Sequence, residues 1–373
     1  MAKEVLVTGG AGFIGSHLCD QLLEKGYKVK VLDNLSEQVH GKDGTRPDYL
    51  NPDVELIVGD VRDGDAIARA LKNVSIVYHF AAKVGVGQSM YEIADYTGVN
   101  NLGTGVLLEA LIKNPVEKLI VASSMSVYGE GLYKKTNGEI VPGHERRLED
   151  LKRGRWELLD DNNNIMHPVP TTEEKTPSLS SVYALSKYDQ ERLCLITGRA
   201  YGIPVTALRI FNVYGTRQAL SNPYTGVLAI FASRLMNGNR PLIYEDGNQK
   251  RDFVNVRDIA RACVLACEKK DSDGEVINIG GGKAYSIREI ADRLASLMNM
   301  PELKPSITAN YRTGDIRHCY SDISKANRLL GYTPEVDLET GLAELTGWLV
   351  QQEAVDAFET AGKELENRGL IVK

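Results

Sequence analysis

Short apolar runs alternate with stretches of helical character along most of this chain. The first run, residues 3–8, alternates between polar and apolar side chains and then becomes continuously apolar, as a buried parallel strand does. Similar runs follow at residues 27–32, 54–58, 75–80, 118–122, 205–211 and 275–279. Strands that alternate with helices build a parallel sheet with helices on both faces. We therefore predict an α/β fold with a doubly wound parallel sheet.

A glycine-rich turn follows the first apolar run, and residues 13–26 then have the pattern of a helix. Gly9 and Gly10 permit a tight turn. Gly12 lets the backbone approach a pyrophosphate at the positive end of the helix, and Gly15 lets helix and strand pack closely. An ordinary strand–turn–helix with spare glycines is the alternative. In this context the pattern predicts a Rossmann-type dinucleotide site whose contacts include Gly9, Gly12, Phe13, Ile14 and Gly15.

Acidic and small residues end the next predicted strands. Asp33, followed by Asn34, ends the second strand, where a carboxylate accepts hydrogen bonds from both ribose hydroxyls and repels a 2′-phosphate. This favours NAD over NADP as the cofactor, unless Asp33 only caps a loop. Asp60 follows the third strand and could reach the adenine amino group. The further predicted cofactor contacts are Asp33, Asn34, Asp60, Val61, Ala81, Ala82, Lys83 and Asn100.

A serine, a tyrosine and a lysine form a candidate catalytic set. Ser124 follows the fifth strand at the carboxyl edge of the sheet, where sites in such folds lie. Tyr183 and Lys187 are four residues apart, so they share one face of a helix. The ordinary pKa of tyrosine is about 10, and a nearby ammonium lowers it. The same spacing also occurs by chance on helix surfaces. With the dinucleotide site, it predicts hydride chemistry on an alcohol, in which Tyr183 and Lys187 also contact NAD.

With these motifs, the chain resembles the extended short-chain dehydrogenases/reductases of the nucleotide-sugar epimerase/dehydratase group. The resemblance covers residues 3–348. It implies that Ser124, Asn212, Arg251 and Arg312 bind a nucleotide-sugar. Guanidinium groups match phosphate oxygens in a bidentate manner, although arginines more often lie on solvated surfaces. The segments that carry the resemblance are 8–15, 33–34, 59–61, 123–129, 183–187, 209–215, 251–254 and 312–315.

The two residues after Ser124 narrow the reaction that the resemblance implies. Sugar 4,6-dehydratases of this group carry an Asp-Glu pair at these positions, and the related decarboxylases usually keep the Glu. Here the positions are Met125 and Ser126, which cannot supply acid–base catalysis of that kind. A 4-epimerase, which passes through a 4-keto sugar, needs neither carboxylate. Another NAD-dependent nucleotide-sugar oxidoreductase or decarboxylase, and a non-catalytic NAD-binding sensor, remain alternatives.

Several loops resemble those of epimerases that act on dTDP-L-rhamnose. Gln88, Ser89 and the loop at residues 219–225 are candidates for contacts with the sugar or base, and a purely structural role is the alternative for each. The expected substrate is dTDP-L-rhamnose or a similar dTDP- or UDP-hexose. The segments concerned are 38–41, 46–50, 84–91 and 217–226.

A polar insert at residues 131–174 separates Ser124 from Tyr183. A long connection of this kind is usually a functional lid or a disordered excursion, and we predict a lid or pocket wall. Its histidines, His144 and His167, have no cysteine nearby and no paired spacing. No metal site is therefore predicted.

Composition limits the partners. The net charge of −6 and the absence of a basic stripe argue against nucleic-acid binding. No apolar run reaches the roughly 20 residues of a membrane span, and the first strand leaves no room for a signal peptide. The 5 cysteines are scattered, as in reduced proteins. We expect a cytoplasmic protein, and the resemblance implies a homodimer formed by two helices near residues 100–113 and 182–201.

The substrate-binding part is expected to interleave with the cofactor-binding part. The chain should return to the sheet after a first substrate-binding segment. Beyond residue 350 the pattern is charged and helical, which predicts a surface helix or a partner contact. The predicted division is a cofactor domain of residues 1–211 and 251–280, a substrate domain of residues 212–250 and 281–350, and a helical tail of residues 351–373.

Overall fold

In the computed structural model, which describes residues 2–372, a seven-stranded parallel sheet forms the centre of the molecule. The strands are β1 (Glu4–Thr8), β2 (Lys28–Asp33), β3 (Glu55–Val58), β4 (Val74–His79), β5 (Lys118–Ser124), β6 (Val205–Ile210) and β7 (Val276–Ile279). Their order in the sheet is β7-β6-β5-β4-β1-β2-β3, and all neighbours are parallel. The predicted doubly wound sheet is confirmed, with its switch point between β1 and β4.

Some helices cover the two faces of this sheet, and others lie outside it. The longer ones are α1 (Phe13–Glu24), α2 (Gly64–Ala70), α3 (Gly103–Lys113), α4 (Val182–Tyr201), α5 (Val227–Met236), α6 (Val256–Glu268), α7 (Ile287–Leu297), α8 (Ser324–Leu330), α9 (Leu338–Leu349) and α10 (Phe358–Asn367). Short turns of α-helix lie at Glu37–His40, Val86–Ser89, Ile93–Tyr96 and Leu148–Lys152. A π-helical segment lies at Thr97–Leu102, and 3₁₀ turns lie at Met125–Tyr128 and Lys270–Ser272. No helix within residues 2–372 combines the length and apolar character that crossing a bilayer requires.

The apolar runs of the strands are explained by burial on both faces. Val5 and Val7 pack into one hydrophobic core with α1 and α6, whereas Leu6 between them packs into the other core with α2 and α3. Alternate residues of a strand point to opposite faces, so a strand covered on both sides has no polar face. The carboxyl ends of β1 and β4 meet at the switch point, where such sheets bind ligands.

A third hydrophobic core lies outside the sheet. It joins α5, α7 and α9 around Phe231, Leu294 and Leu342. The domain boundaries stay a prediction, and their end residues Met1 and Lys373 lie outside the described residues. The remaining strands are Leu132–Lys134, Ile140–Pro142, His167–Val169, Asn212–Tyr214, Leu242–Ile243, Lys250–Arg251, Phe253–Asn255, Tyr285–Ser286, Ser306–Ile307, Tyr311–Arg312, His318–Cys319 and Ile371–Val372.

Candidate active site

A cleft of about 790 Å³ opens at the carboxyl edge of the sheet. Most of the residues predicted to form the site line this cleft, but Gln88, Ser89, Asn100 and Lys187 do not. The predicted residues that line it are Gly9, Gly12, Phe13, Ile14, Gly15, Asp33, Asn34, Asp60, Val61, Ala81, Ala82, Lys83, Ser124, Tyr183, Asn212, Arg251 and Arg312. The fold therefore brings the dinucleotide motif, the serine and tyrosine, and the arginines to one cavity.

The glycine turn leaves no space for larger side chains. Gly9 has a φ of 70°, and an added Cβ would lie 2.8 Å from the backbone nitrogen of Ala81. A Cβ at Gly15 would lie 2.5 Å from the carbonyl oxygen of Gly9. Helix α1 starts after Gly12, which has no side chain to cap the helix, so the first-turn N–H groups are available to a ligand. The turn thus fits a dinucleotide pyrophosphate.

The carboxylate of Asp33 is held rigidly at the end of β2. Its Oδ2 accepts a hydrogen bond from the N–H of Ala11 at 3.1 Å, and its Oδ1 accepts one from Leu35 at 2.9 Å. Nε2 of His40 lies 3.7 Å from Oδ1, and burial lowers the pKa of this histidine. A neutral imidazole leaves the charge of Asp33 uncancelled, which fits recognition of ribose hydroxyls.

Asp60, the residue predicted to reach adenine, is paired within the chain. Its carboxylate accepts hydrogen bonds from Nε and Nη2 of Arg62 at 2.9 and 2.7 Å. These bonds lower the pKa of Asp60 and keep it ionised. Nδ2 of Asn34 lies 3.5 Å away from the same carboxylate. The adenine contact stays a prediction.

Asn100 supports the cleft from behind. It is fully buried, its Oδ1 accepts from the N–H of Lys83 at 2.8 Å, and its Nδ2 donates to Oγ of Ser186 at 2.9 Å. A direct contact of the Asn100 side chain with the cofactor stays a prediction. Lys83 lines the cleft, but its ammonium donates to Glu92 and Asp95 at 2.8 and 2.5 Å, so its charge is already paired.

Ser124 and Tyr183 meet in the cleft. Tyr183 lies in the first turn of α4, which Ser181 caps by accepting from the N–H of Ala184 at 3.1 Å. Oγ of Ser124 accepts from Oγ–H of Ser126 at 2.9 Å. Burial raises the pKa of Tyr183, and the nearby Ser124 side chain acts in the opposite direction. The phenol therefore needs an added positive charge to act as a base near neutral pH.

Ser89 and Gln88 do not face the cleft. Ser89 is fully buried, donates to the carbonyl of Val86 at 2.7 Å and accepts from the backbone N–H of Tyr183 at 3.0 Å. It holds the start of α4, and its predicted contact with the substrate stays a prediction. Gln88 lines a neighbouring groove, where its Oε1 accepts from Nε2 of Gln38 at 3.0 Å. The groove shares Gln38, Asn222 and Tyr224 with the cleft, and a contact of Gln88 with the sugar likewise stays a prediction.

Lys187 points into a buried polar network. The side chain is 3 % exposed, and Nζ donates to Oε1 of Gln190 at 2.6 Å. Nε2 of Gln190 donates to Oγ1 of Thr104 at 2.9 Å. The same Nε2 lies 3.2 Å from Nε2 of His79. The other ring nitrogen of His79 lies 2.8 Å from Oγ1 of Thr8. Burial lowers the pKa of Lys187 to about 8 and that of His79 to about 3. Lys187 thus loses its proton at a pH not far above neutral, while His79 stays uncharged at neutral pH.

Sequence reasoning did not identify Gln190 or His79 as part of the site. Gln190 lies three residues after Lys187 on α4, so helical spacing provided a signal. His79 ends a buried strand, and its apolar neighbours gave no signal. Both residues act through Lys187, which makes them candidate positioning residues.

Gln190→Leu is expected to move the alkaline limb of the kcat–pH profile to lower pH by about one unit, because Lys187 loses the oxygen that stabilises its charge. Gln190→Glu should move the same limb to higher pH, because a carboxylate favours the ammonium form. Profiles of both variants check this, with Gln351→Leu on the exposed surface as the control. If the alkaline limb moved in the same direction in both variants, Gln190 would not control the pKa of Lys187.

Polar groups suited to a diphosphate line the same cleft. Oδ1 of Asn212 is buried without a hydrogen-bond partner and can accept from a ligand hydroxyl or N–H, whereas only the amide N–H groups of Asn212 could donate to a phosphate. Nη1 of Arg251 donates to the backbone carbonyl of Arg317 at 2.9 Å, which leaves its positive charge uncancelled. Arg312 donates to Oδ1 of Asp315 at 3.0 and 2.6 Å, so a phosphate would compete with this carboxylate. The contacts of these residues with a nucleotide-sugar stay predictions.

The positions after Ser124 carry no carboxylate. Met125 and Ser126 are buried and line the cleft. Part of the loop at residues 219–225, including Asn222 and Tyr224, also lines it, so this loop is placed where a substrate contact was predicted. The cleft can therefore hold an alcohol beside Ser124 and Tyr183, but Met125 and Ser126 provide no acid–base pair for eliminating water.

The insert of residues 131–174 stands beside the cleft. Among the described residues that line the cleft, none belongs to the insert, and its role as a lid or pocket wall stays a prediction. Ion pairs join the insert to the substrate half. Nη2 of Arg146 lies 2.8 Å from Glu245, and Glu157 accepts from Nε of the fully buried Arg317 at 3.1 Å. The insert thereby supports the segment that follows Arg312.

Metal-ligating side chains are dispersed in residues 2–372. His144 and His167 are exposed on the insert. No group of three or more His, Cys, Asp or Glu side chains in this part of the chain is arranged to hold a metal ion. All cysteines are free thiols, and all but Cys267 are buried.

The chain matches the model of the NAD dependent epimerase/dehydratase family over residues 5–149 and 161–280. It is 37% identical to a dTDP-L-rhamnose 4-epimerase of Burkholderia thailandensis over 356 residues, covering 94% of this chain and 96% of that protein. It is 36% identical to a putative UDP-glucose 4-epimerase of Methanocaldococcus jannaschii, covering 92% and 98%. The unmatched residues between the two family segments lie in the insert.

Solved structures show the same similarity. The UDP-glucose 4-epimerase of Thermotoga maritima, determined with UDP-glucose, has a TM-score of 0.77 at 33% identity and covers 93% of this chain and 99% of that one. The UDP-glucuronic acid 4-epimerase of Bacillus cereus, determined with UDP-glucuronic acid and NAD, has a TM-score of 0.76 at 29% identity, with coverage of 93% and 99%. Both similarities extend over nearly the whole chain.

Proposed function

Because the chain belongs to the NAD-dependent epimerase/dehydratase family, we propose that it is a nucleotide-sugar 4-epimerase that uses NAD. The observation that carries this proposal is the composition of one cleft. Ser124 and Tyr183 line it together with the glycine turn, while Met125 and Ser126 take the positions where related dehydratases carry acidic residues. The relatives named as 4-epimerases support the same activity.

Side chains of this protein would accept and return the proton of the sugar C4 hydroxyl. The chemistry that bound NAD supplies is the reversible removal of hydride from C4, through a transient 4-keto sugar. Oη of Tyr183 would take the hydroxyl proton and later return it, and Oγ of Ser124 would hold the reacting oxygen by a hydrogen bond. The ammonium of Lys187 would stabilise the phenolate. Asp33 and the N-terminal end of α1 would orient the cofactor.

The proposed substrate is dTDP-L-rhamnose or a similar dTDP- or UDP-hexose. The relative from Burkholderia thailandensis supports dTDP-L-rhamnose, while the structural neighbours support UDP-sugars. Arg251 and Arg312 would hold the diphosphate with their guanidinium groups, and Asn212 would contribute through its amide N–H groups, because all three residues line the cleft. Phosphate and arginine form strong bidentate hydrogen bonds.

Proton NMR of sugar configuration tests the proposed activity. The purified protein is incubated with dTDP-L-rhamnose, UDP-glucose and UDP-glucuronic acid in turn, with and without added NAD⁺. We expect one of them to give a mixture of C4 epimers. Loss of carbon dioxide or net reduction of NAD⁺ would instead establish a decarboxylase or oxidoreductase, and no conversion would leave a binding role.

Asp33→Asn is expected to weaken NAD binding by about tenfold and to reduce discrimination against NADP, because it removes the charge at the end of β2 while keeping the shape. Calorimetric titration of both cofactors into the protein checks this. Asp53→Asn, at an exposed position, is the control. An unchanged preference would mean that another group recognises the ribose.

We further propose a homodimer formed through α3 and α4. The support is a set of large apolar side chains that α4 leaves exposed: Leu185 at 45%, Leu193 at 38% and Ile196 at 57%. Such a patch is typical of a protein interface. Ile196→Glu should convert the dimer to a monomer in light scattering. A monomeric wild-type protein at micromolar concentration would remove the proposal.

Two further assignments remain proposals. Residues 1–211 and 251–280 would bind NAD, and residues 212–250 and 281–350 would bind the nucleotide-sugar, supported by the separate core around Phe231. A cytoplasmic location is supported by the free cysteines, as in reducing compartments.

A further inference from the structure

Residues 356–372, called the strap below, run along the cleft. The predicted surface helix is present as α10, but the chain continues into the strand Ile371–Val372. This strand pairs in antiparallel fashion with Tyr311–Arg312. The strap therefore holds the backbone that carries Arg312, one of the arginines expected to bind diphosphate.

The strap also contacts the loop that follows β4. Leu365 is 4 % exposed and packs against Gly87, where an added Cβ would lie 3.3 Å from Cδ1 of Leu365. The guanidinium of Arg368 lies 4.1 Å from the ring centre of Tyr91. Gly87 and Arg312 both line the cleft, so the strap joins two of its walls.

The strap is also joined to the loop that carries Tyr224, a third wall of the cleft, through the pair of Tyr224 and Tyr91. Oε2 of Glu364 accepts from the hydroxyl of Tyr224 at 3.3 Å, and the hydroxyls of Tyr224 and Tyr91 are 2.5 Å apart. Tyr224 lines the cleft. These contacts are polar and partly exposed, so their separation costs less than that of an apolar core.

Phe358 provides an aromatic surface inside the cleft. Its ring centre lies 6.1 Å from that of Tyr244, with an angle of 37° between the planes, and both residues line the cleft. Arg312 is close enough for its charge to oppose the effect of burial on the pKa of Tyr244. The aromatic pair is thus next to the expected diphosphate site. Aromatic rings in such a place stack on nucleotide bases.

We propose that the strap completes the nucleotide end of the substrate site, with Phe358 as a base-positioning residue. The strap would close on the bound nucleotide-sugar, and its polar contact between Glu364 and Tyr224 would separate when the ligand exchanges. The nature of the ligand rests on the proposed function. The position of Phe358 in the cleft and the contacts of the strap with Gly87 and Arg312 support its role at the substrate site.

Calorimetric titration with UDP and with dTDP tests the role of Phe358. Phe358→Ala should bind both about tenfold more weakly, since stacking of one base contributes about 1–3 kcal/mol. Lys363→Ala, on the exposed face of α10, is the matched control and should bind as wild type. Equal affinities in wild type and Phe358→Ala would overturn the role of the strap alone. A wild-type protein that binds neither nucleotide would overturn the proposed function as well.

Limited proteolysis with trypsin tests the movement. Lys363 and Arg368 are exposed cleavage sites on the strap. If ligand binding and docking of the strap are coupled, saturating dTDP must slow cleavage at both sites, because the coupling is reciprocal. We expect a slowing of about fivefold or more in the wild-type protein, measured by mass spectrometry. An unchanged rate at saturating dTDP would overturn the closing movement.

Discussion

Tyr183→Phe is expected to lower kcat by about 10²- to 10⁴-fold, the contribution that a positioned acid–base group usually makes. The phenol lines the cleft together with Ser124, whereas a phenyl ring fills the same space and cannot take a proton. Rates of C4 epimerisation followed by NMR check this. NAD should remain bound, because the substitution leaves the glycine turn and Asp33 unchanged.

Tyr201→Phe is the matched control for this experiment. Tyr201 lies at the other end of α4 and is 56 % exposed, so the loss of its hydroxyl should leave kcat unchanged. A wild-type kcat in Tyr183→Phe would exclude Tyr183 as the base. A loss of activity in both variants would indicate that α4 is disturbed.

Arg209→Met is expected to lower the free energy of unfolding by about 3–5 kcal/mol, because it leaves a buried carboxylate without its partner. The guanidinium of Arg209 on β6 donates to both oxygens of Glu191 on α4, at 2.9 and 2.7 Å. Oγ of Ser123 donates to the same carboxylate at 2.7 Å, and the ring of Tyr128 lies 4.8 Å from the guanidinium. Denaturant-induced unfolding measures the effect.

A double variant without either charge distinguishes the cost of an unpaired buried charge from the cost of altered packing. The double variant Arg209→Met/Glu191→Met should be less destabilised than Arg209→Met alone, because no unpaired charge remains. Arg257→Met is the control, since its pair with Glu344 is exposed by 49% and 38%, and it should lose less than about 1 kcal/mol. Equal losses in Arg209→Met and Arg257→Met would mean that burial of the pair is unimportant.

The sheet and the glycine turn were predictable because their signals are local. A strand buried on both faces needs a continuous apolar run, and the turn at Gly9 needs a residue without Cβ. Ser124 and Tyr183 were predictable from their positions at a strand end and a helix start. Sequence spacing also placed Lys187 on the correct helix, but it could not show that the ammonium points to Gln190.

The hydrogen-bond partners of polar residues beside the cleft were not predictable from the sequence. Ser89 and Asn100 lie in segments that approach the cofactor site, yet their side chains point to the backbone of Tyr183 and Lys83. The direction of a single polar side chain depends on packing between distant segments, which no local pattern encodes. The same reason applies to the strap, whose strand pairs with residues about sixty positions earlier in the chain.

Burial of Lys187 weakens the fold at neutral pH. Its pKa falls from 10.5 to about 8, so between these values the unfolded chain holds a proton that the folded chain has released. Stability therefore rises with pH across this window, and below about pH 8 the full penalty of roughly 3 kcal/mol remains. A ligand that brings negative charge beside the ammonium removes part of this penalty and stabilises the protein. The ligand-free protein therefore bears a loss of stability at Lys187, and relief of this loss contributes to the free energy of ligand binding.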